Sequence, residues 1–310
     1  MFLVHDTLPH TVKLNCQECA GCCIDWHSVV PDREFTDTTF EGYTPYDSRD
    51  KFVTVSSDEV RKFIQSGYGD GLIPRLFQPT DNQLGCITID GVELASIDSQ
   101  PVFLMGLRST RKPVAPFGLD PSWLPTCIFL DPDSLQCRIH NSKVYPDTCA
   151  RYPADNLYFD AETECERVEQ IFGEDRLLEH DDSSPRPTIG PGSVGGTVFL
   201  HPKPERLDGL IKPLLEDPAV EPGRIEFSAV AAASAPGVDH IDQERYEQVH
   251  SQLSGSTSWI SEVADRWKQI YEMGKPTDHA ETLDVEVPTG APPTPGWNEQ
   301  TNYNNGTKNR

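Results

Sequence analysis

The sequence is short of positive charge and of long apolar runs. Its 26 Lys and Arg residues face 49 Asp and Glu residues, which gives a formal net charge of −23. Such a surface repels nucleic-acid backbones and anionic lipids. No apolar run approaches the roughly 20 residues of a membrane span, and the first residues lack the cationic and apolar regions of a signal peptide. The sequence therefore predicts a cytoplasmic protein with neither a nucleic-acid nor a membrane partner.

Several catalytic signatures are missing as well. The chain contains no P-loop, no Gly-x-Ser-x-Gly and no His-Glu-x-x-His motif, so nothing in it favours a hydrolase or a nuclease. Its 13 Phe, 9 Tyr and 5 Trp residues indicate a folded chain despite the charge. The excess carboxylates are therefore interpreted as the hydrated surface of a halophilic, acidic protein.

Apolar periodicity and composition divide the chain into regions. The sequence predicts an α+β fold, with a small cysteine-rich metal-binding domain of short strands and helices followed by a mainly helical C-terminal region. The predicted regions are the cysteine-rich domain at 1–178, a flexible acidic, Pro- and Gly-rich linker or loop at 179–196, the helical region at 197–274 and a disordered tail at 275–310.

Local signals place individual elements. Ser56, followed by two carboxylates, predicts a helix start, because a hydroxyl and nearby negative charge stabilise the exposed N–H groups there. The dipeptide Asp90-Gly91 predicts a turn between short strands within 84–107. The other predicted elements are a loop over 113–125, a hairpin over 127–139, a helix over 161–172 and a helical region over 241–273 with a break near Gly255 and an apolar stripe of Trp259, Val263, Trp267, Ile270 and Tyr271.

The strongest local pattern is a group of four cysteines. Cys16, Cys19, Cys22 and Cys23 lie within eight residues, beside the flexible Gly21. Thiolates at this spacing converge on one soft cation, whereas disulfides here would need a strained vicinal bond or very small rings. The pattern therefore predicts a metal site.

A second group of cysteines lies far along the chain. Cys127, Cys137 and Cys149 fall in predicted loops and hairpin ends, and Cys165 begins a predicted helix. Together with the first group they supply eight thiols, enough for two tetrathiolate sites or for one cluster with additional cysteines. The ninth, Cys86, lies in an apolar strand and is predicted to be a buried structural thiol. His27 and His140 stand near cysteines as additional candidate zinc ligands.

These motifs resemble those of a known family. The opening group, Cys127-Ile-Phe-Leu, Cys137-Arg-Ile-His140 and Cys149-Ala-Arg-Tyr152-Pro153 follow the order of the CxxCxxCC proteins, also called the YkgJ-type cysteine cluster family, over residues 14–166. The resemblance implies a zinc- or iron-chelating domain and assigns no reaction. His140 in place of an aromatic residue and Tyr145-Pro146 in place of Arg-Pro depart from the family pattern.

Three functions follow as alternatives. The first is a metal-binding protein that holds Zn²⁺ or an iron–sulfur cluster, such as 4Fe-4S, for electron transfer, redox sensing or metal handling. The second is an enzyme, a methyltransferase or an oxidoreductase, because the resemblance extends to flagellin lysine-N-methylases. The third is a structural zinc module whose helical C-terminal region docks a protein partner.

Overall fold

An antiparallel sheet forms the framework of the protein. A computed structural model describes residues 20–25, 43–47, 52–79, 85–116, 120–152, 194–274 and 285–295. Across the sheet the order is β1 (Tyr43–Pro45), β2 (Leu72–Pro79), β5 (Gln100–Leu107), β4 (Val92–Ile97) and β3 (Cys86–Ile89), and β10 (Val198–Leu200) also pairs with β5. All of these pairings are antiparallel. Two small sheets pair β6 (Ser109–Val114) with β7 (Ser122–Cys127) and β8 (Leu130–Asp131) with β9 (Gln136–Cys137).

The strand β5 lies at the centre of the core. It is buried from Pro101 to Leu107, as expected of a strand covered on both faces. Phe103 lies opposite Leu76 of β2 and Phe199 of β10. Its ring centroid is 5.3 Å from that of Phe199 and 4.7 Å from that of Phe227. Burial of each such ring contributes about 1.5–3 kcal/mol, so these rings stabilise the sheet against the helix that carries Phe227.

Helices cover this sheet. The helices are α1 (Ser57–Gln65), α2 (Asp147–Arg151), α3 (Ile211–Glu216), α4 (Gly223–Ala233), α5 (Gln243–Ser254) and α6 (Trp259–Glu272). The helix α4 is buried along its whole length and packs against α1, α5, β2 and β5. The predicted start of α1 is confirmed, because the Ser56 side chain accepts from the Glu59 N–H and the Glu59 carboxylate accepts from the Ser56 N–H.

Of two predicted connections between strands, the turn at Asp90-Gly91 is observed and the long loop over 113–125 is not. Asp90 and Gly91, both at positive φ, join β3 to β4, which confirms that turn. The loop predicted over 113–125 is wrong, since β6 and β7 extend into it and pair Pro113 with Trp123 and Arg111 with Pro125. Proline is tolerated here because a two-stranded ribbon leaves outward-facing positions that need no N–H donor.

The helical region predicted over 241–273, with a break near Gly255, is confirmed. The helix α5 ends at its cap Gly255, and α6 begins after Ser258, whose side chain accepts from the Ile260 N–H. The stripe on α6 buries Val263 and Trp267, while Tyr271 at its far end remains 41% exposed. Burial of this face, rather than helix propensity alone, stabilises α6.

The observed class is α+β, with a curled antiparallel sheet and six α-helices within the described residues. One buried cluster joins Phe63, Phe129, Phe227 and Trp267, so the cysteine-bearing hairpins and the C-terminal helices share a core. Residues 285–295, in the segment predicted to be disordered, pack onto this body. The predicted helix over 161–172 and nearly all of the predicted 179–196 linker lie outside the described residues. Among the described helices, none has the length and apolar character needed to cross a membrane.

Candidate functional site

The first cysteine segment is a short helical turn beside β7. Ala20, in the left-handed region with φ 46°, precedes the 3-10 turn Gly21–Cys23, and the Cys23 N–H donates to the Ala20 carbonyl at 2.8 Å. Beyond the turn, Ile24 bridges Thr126 antiparallel, and the Asp25 N–H donates to the Pro125 carbonyl at 2.9 Å. These contacts place Cys22 and Cys23 next to the end of β7, where Cys127 lies.

The second cysteine segment is the predicted hairpin over 127–139, which the structure confirms. Cys127 is the last residue of β7, and Cys137 pairs with Leu130 across β8 and β9. The Ile128 N–H donates to the Arg108 carbonyl and the Arg138 N–H to the Phe129 carbonyl, each at 2.9 Å. Backbone hydrogen bonds thus hold the residue that follows each cysteine.

A third segment brings Cys149 beside Tyr145. The Tyr145 hydroxyl donates to the Cys149 carbonyl at 3.3 Å, and the ring centroids of Tyr145 and His140 are 4.8 Å apart. The N-terminus of α2, which carries Cys149, is held by the Asp147 N–H donating to the Glu59 carboxylate at 2.7 Å. Helix α1 therefore anchors this segment.

The thiols of the first two segments interact electrostatically. A hydrogen bond with Cys22, burial, and the charges of Cys22, Cys127 and Cys137 raise the pKa of Cys23 well above its usual value. Burial, followed by the charge of Cys127, raises the pKa of Cys137 to about 12. A small cavity lined by Cys22, Cys23 and Cys127 brings these three residues together, and the charge of Cys127 acts on Cys137 as well.

Two further groups, the Tyr145 hydroxyl and the backbone N–H groups that follow Cys137, interact with these thiols. Burial, with the charges of Cys149, Cys22, Cys137 and Cys23, raises the pKa of Tyr145. In the opposite direction, hydrogen bonds from the backbone N–H groups that follow Cys137 lower the pKa of that thiol. Such donors stabilise a thiolate, and N–H donors around metal-bound sulfur act in the same way. We call Cys22, Cys23, Cys127, Cys137 and Cys149 the thiol site.

Two dimensions of the site suit a small soft metal ion. The Sγ atoms of Cys22 and Cys23 are 3.9 Å apart, close to the sulfur–sulfur edge of about 3.8 Å that a tetrahedron with Zn–S bonds of about 2.3 Å requires. A cavity of ≈ 20 Å³ lies beside Cys22, Cys23 and Cys127, enough for about one water-sized body. Within the described part of the chain, however, no three His, Cys, Asp or Glu side chains already stand in an arrangement that could hold a metal ion.

The predicted ligands separate into three groups. Cys22, Cys23, Cys127 and Cys137 interact with one another, and Cys149 adjoins Tyr145, which interacts with them. These five cysteines and Cys86 are present as thiols. Cys16, Cys19, Cys165 and His27 lie outside the described residues. Cys86 was predicted to be buried, which is wrong: it is exposed at the start of β3, because β3 is an edge strand of the sheet. His140 lies beside Tyr145 at the margin of the thiol site.

Sequence reasoning missed Tyr145, which appeared only as a departure from a family motif. It also missed Lys112, which donates to the Ile128 carbonyl at 2.8 Å, and Glu286, which pairs with Lys112 at 2.7 Å. The one sequence signal that this short stretch packs against the body was the apolar Val285 beside Glu286, which is buried.

The fold and the site define a class, namely an α+β protein with a group of thiols between a short N-terminal turn, a β-hairpin and a small helix. The chain belongs to a family of unknown function, DUF7531, whose family model matches residues 12–298. No curated protein and no solved structure matches the chain significantly.

This assignment corrects the resemblance drawn from the cysteine motifs. The matching model spans those motifs and most of the remaining chain and is not that of the CxxCxxCC family, so membership of the YkgJ-type family is wrong. The described residues also lack a preformed metal-ligand group of the kind that the resemblance implied. The lysine-N-methylase alternative depended on that resemblance and loses its basis. The chemistry of the thiols themselves does not depend on it.

Proposed function

We propose that this member of the DUF7531 family binds a soft metal, as Zn²⁺ or as an iron–sulfur cluster, through thiolates of the thiol site. The observation that carries the proposal is that Cys22, Cys23 and Cys127 line one small cavity, with Cys137 on the same hairpin as Cys127. About a hundred residues of sequence separate Cys23 from Cys127. Thiols gather in this way in metal and redox sites, whereas structural cysteines have no reason to cluster. Cys16 and Cys19, at ligand spacing from Cys22, are the natural further ligands.

The residues of the site have three roles in metal binding. The thiols lose their protons to the solvent and hold the metal as thiolates. The backbone N–H groups that follow Cys137 stabilise the negative sulfur. The hairpin and Tyr145 cover Cys23, Cys127 and Cys137 in part, and this partial removal of water strengthens the attraction between thiolate and cation. When bound, a cluster supplies one-electron chemistry, while zinc supplies a structural cross-link.

The raised thiol pKa values determine the pH dependence of binding. Cys23 and Cys137 are protonated near pH 7, because their pKa values lie above the ordinary value of 9.0. Each must release a proton when it becomes a ligand, so the apparent metal affinity increases as the pH increases toward those pKa values. Thiols kept reduced for metal binding also favour the reducing environment of the cytoplasm.

The test is metal and sulfide analysis with a visible spectrum, on protein purified without oxygen in high salt. We expect stoichiometric zinc in a colourless protein, or iron and acid-labile sulfide in a brown one. Cys127→Ser and Cys137→Ser should each lose the metal. Cys86→Ser, which removes an exposed thiol from the edge strand β3, is the matched control and should keep it.

The two positive results lead to different roles. Iron and sulfide direct the function to electron transfer or redox sensing, and zinc directs it to a structural or protein-docking role. Wild-type protein that carries neither metal, and takes up neither on reconstitution, would refute metal binding. Equal loss of metal from the Cys86 control would show that the thiol site is not the binding site.

A further inference from the structure

A short C-terminal segment is held against the rest of the protein mainly by the carboxylate of Glu286. Residues 285–295, which we call the clasp, contain the 3-10 turn Val287–Thr289, and the preceding Glu286 is 3% exposed. Its carboxylate accepts from the Lys112 ammonium at 2.7 Å, the Arg138 guanidinium at 2.8 Å and the Trp267 indole at 2.9 Å. These three donors lie on β6, after β9 and on α6, so Glu286 ties three elements together.

Two of these donors also hold the hairpin that carries the thiols. The Lys112 ammonium, which is fully buried, donates to the carbonyls of Ile128 and Leu130 at 2.8 and 2.5 Å. Ile128 directly follows Cys127 in the chain. Lys112 thereby connects the backbone next to Cys127 with Glu286.

The Arg138 contacts repeat this arrangement at the second thiol. Arg138 directly follows Cys137, and its guanidinium contacts Glu286, the Pro292 carbonyl at 2.8 Å and the Asp131 carboxylate at 3.3 Å. The clasp is therefore linked to Ile128, which follows Cys127, by the Lys112 side chain. It contacts Arg138, which follows Cys137, directly. Buried charges of this kind require all their partners, so loss of one displaces the others.

We propose that Glu286 is a positioning residue for the thiol site, and that the clasp fixes the placement of Cys127 and Cys137 through Lys112 and Arg138. This role deepens the proposed metal-binding function and rests on it for its biological meaning. The placement of the two thiols themselves is independent of any metal. Release of the clasp would make both thiols more accessible and would weaken whatever they bind.

The test measures alkylation of individual cysteines in the full-length protein without metal. Iodoacetamide rates at Cys127 and Cys137 are read by peptide mass analysis, with the exposed Cys86 as internal reference. Glu286→Gln should raise both rates relative to Cys86 by roughly tenfold, because local opening of the hairpin becomes more frequent. Trp267→Phe, which removes one donor, keeps an aromatic ring and changes no charge, should raise them by roughly threefold.

Trp267→Phe separates placement from charge. Glu286→Gln makes the surroundings of the thiols more positive and would raise their reactivity through the thiolate fraction alone. Trp267→Phe leaves that charge unchanged, so an increase in this variant reports access. It also keeps the proposal testable if Glu286→Gln fails to fold.

Glu226→Gln is the matched control. Glu226 is 6% exposed and accepts from the Tyr246 hydroxyl of α5 at 2.5 Å. It also lies 3.2 Å from the ring of His201, which directly follows β10, and neither contact involves the hairpin. This variant should leave the ratios at Cys127 and Cys137 unchanged. Unchanged ratios in Trp267→Phe, or an equal rise in the Glu226 control, would overturn the positioning role.

A second measurement joins the clasp to metal binding. If the wild type binds zinc, Glu286→Gln should weaken it about ten- to a hundred-fold, as removal of the groups that orient metal ligands typically does. Competition with a chelator measures this ratio, and unaltered affinity would contradict the coupling. If the wild type binds no metal, the proposed function fails, while the alkylation ratios still decide whether the clasp positions the thiols.

Discussion

The ion pair between Lys112 and Glu286 gives the sharpest prediction of stability. Lys112→Met removes an ammonium that is fully buried, and leaves the carbonyls of Ile128 and Leu130 without that donor. Glu286 keeps Arg138 and Trp267 as partners. Removal of one member of a buried pair costs about 3–5 kcal/mol in free energy of unfolding. Because Glu286 keeps two donors, we expect Lys112→Met to cost about 3 kcal/mol, the lower end of that range.

The reverse change should cost more. Glu286→Gln leaves the Lys112 ammonium buried against two carbonyls, with no carboxylate to balance it. The expected loss is therefore about 5 kcal/mol, the upper end of the same range. In the double variant the charge left behind by each single change is gone, so its loss should be about 5 kcal/mol rather than the sum of the two.

The assay is urea unfolding at high salt, monitored by tryptophan fluorescence and by far-ultraviolet circular dichroism. Coincident transitions with equal slopes are needed before the free energies are compared. Additive losses in the double variant, or a loss below about 1 kcal/mol for Lys112→Met, would refute the reasoning. Either result would mean that this charge pair contributes little beyond its neighbouring packing.

Three other predictions concern single groups. Cys137 has a pKa of about 12 in the folded protein, above its ordinary 9.0. Its contribution to stability is therefore present below pH 9 and is lost as the pH rises toward 12, by up to about 1.4 kcal/mol per pH unit. Urea unfolding across this range should show a shallower decline for Cys137→Ala than for the wild type, and parallel declines would contradict it. Glu59→Ala removes acceptors for Ser56 and for the Asp147 N–H, at 2.7 Å each, and should cost about 2–4 kcal/mol of unfolding free energy. Ser56→Ala should cost only about 1 kcal/mol in the same urea assay, and equal costs would deny the contact with α2. With a net charge of −23, the melting temperature should rise from 0.15 M to about 2 M KCl as salt screens repulsion; a flat profile in calorimetry would count against halophilic adaptation.

Sequence signals succeeded where one local interaction decides the structure. The Ser56 cap, the Asp90-Gly91 turn and the hairpin between Cys127 and Cys137 were predictable, since each depends on a few adjacent residues. The β6–β7 ribbon was missed because prolines argue against strands. Exposure of Cys86 was missed because the place of β3 at the sheet edge depends on the order of all the strands.

The thiol site was predictable in composition but not in geometry. The spacing of the first four cysteines predicted that Cys22 and Cys23 lie together. The sequence left open whether Cys127 and Cys137 belong to the same site or to a second one. The sequence could not indicate that Glu286, near the other end of the chain, would pair with Arg138, which follows Cys137, and with Lys112, which donates to the Ile128 carbonyl. Such a contact leaves no periodic or spacing signal, because it joins segments that are about 150 residues apart.

The same distinction explains why the family resemblance failed while the thiol chemistry kept its support. A CxxCxxCC motif reports only that four sulfurs can approach one another, and similar cysteine spacings occur in unrelated chains. Family membership depends on the pattern of the whole chain, which here extends over residues 12–298 and includes Glu286 and the helices that the clasp contacts. The clasp lies inside the region that the family model matches, so a general role for the thiol site in this family would include Lys112, Arg138 and Glu286 as well as the cysteines.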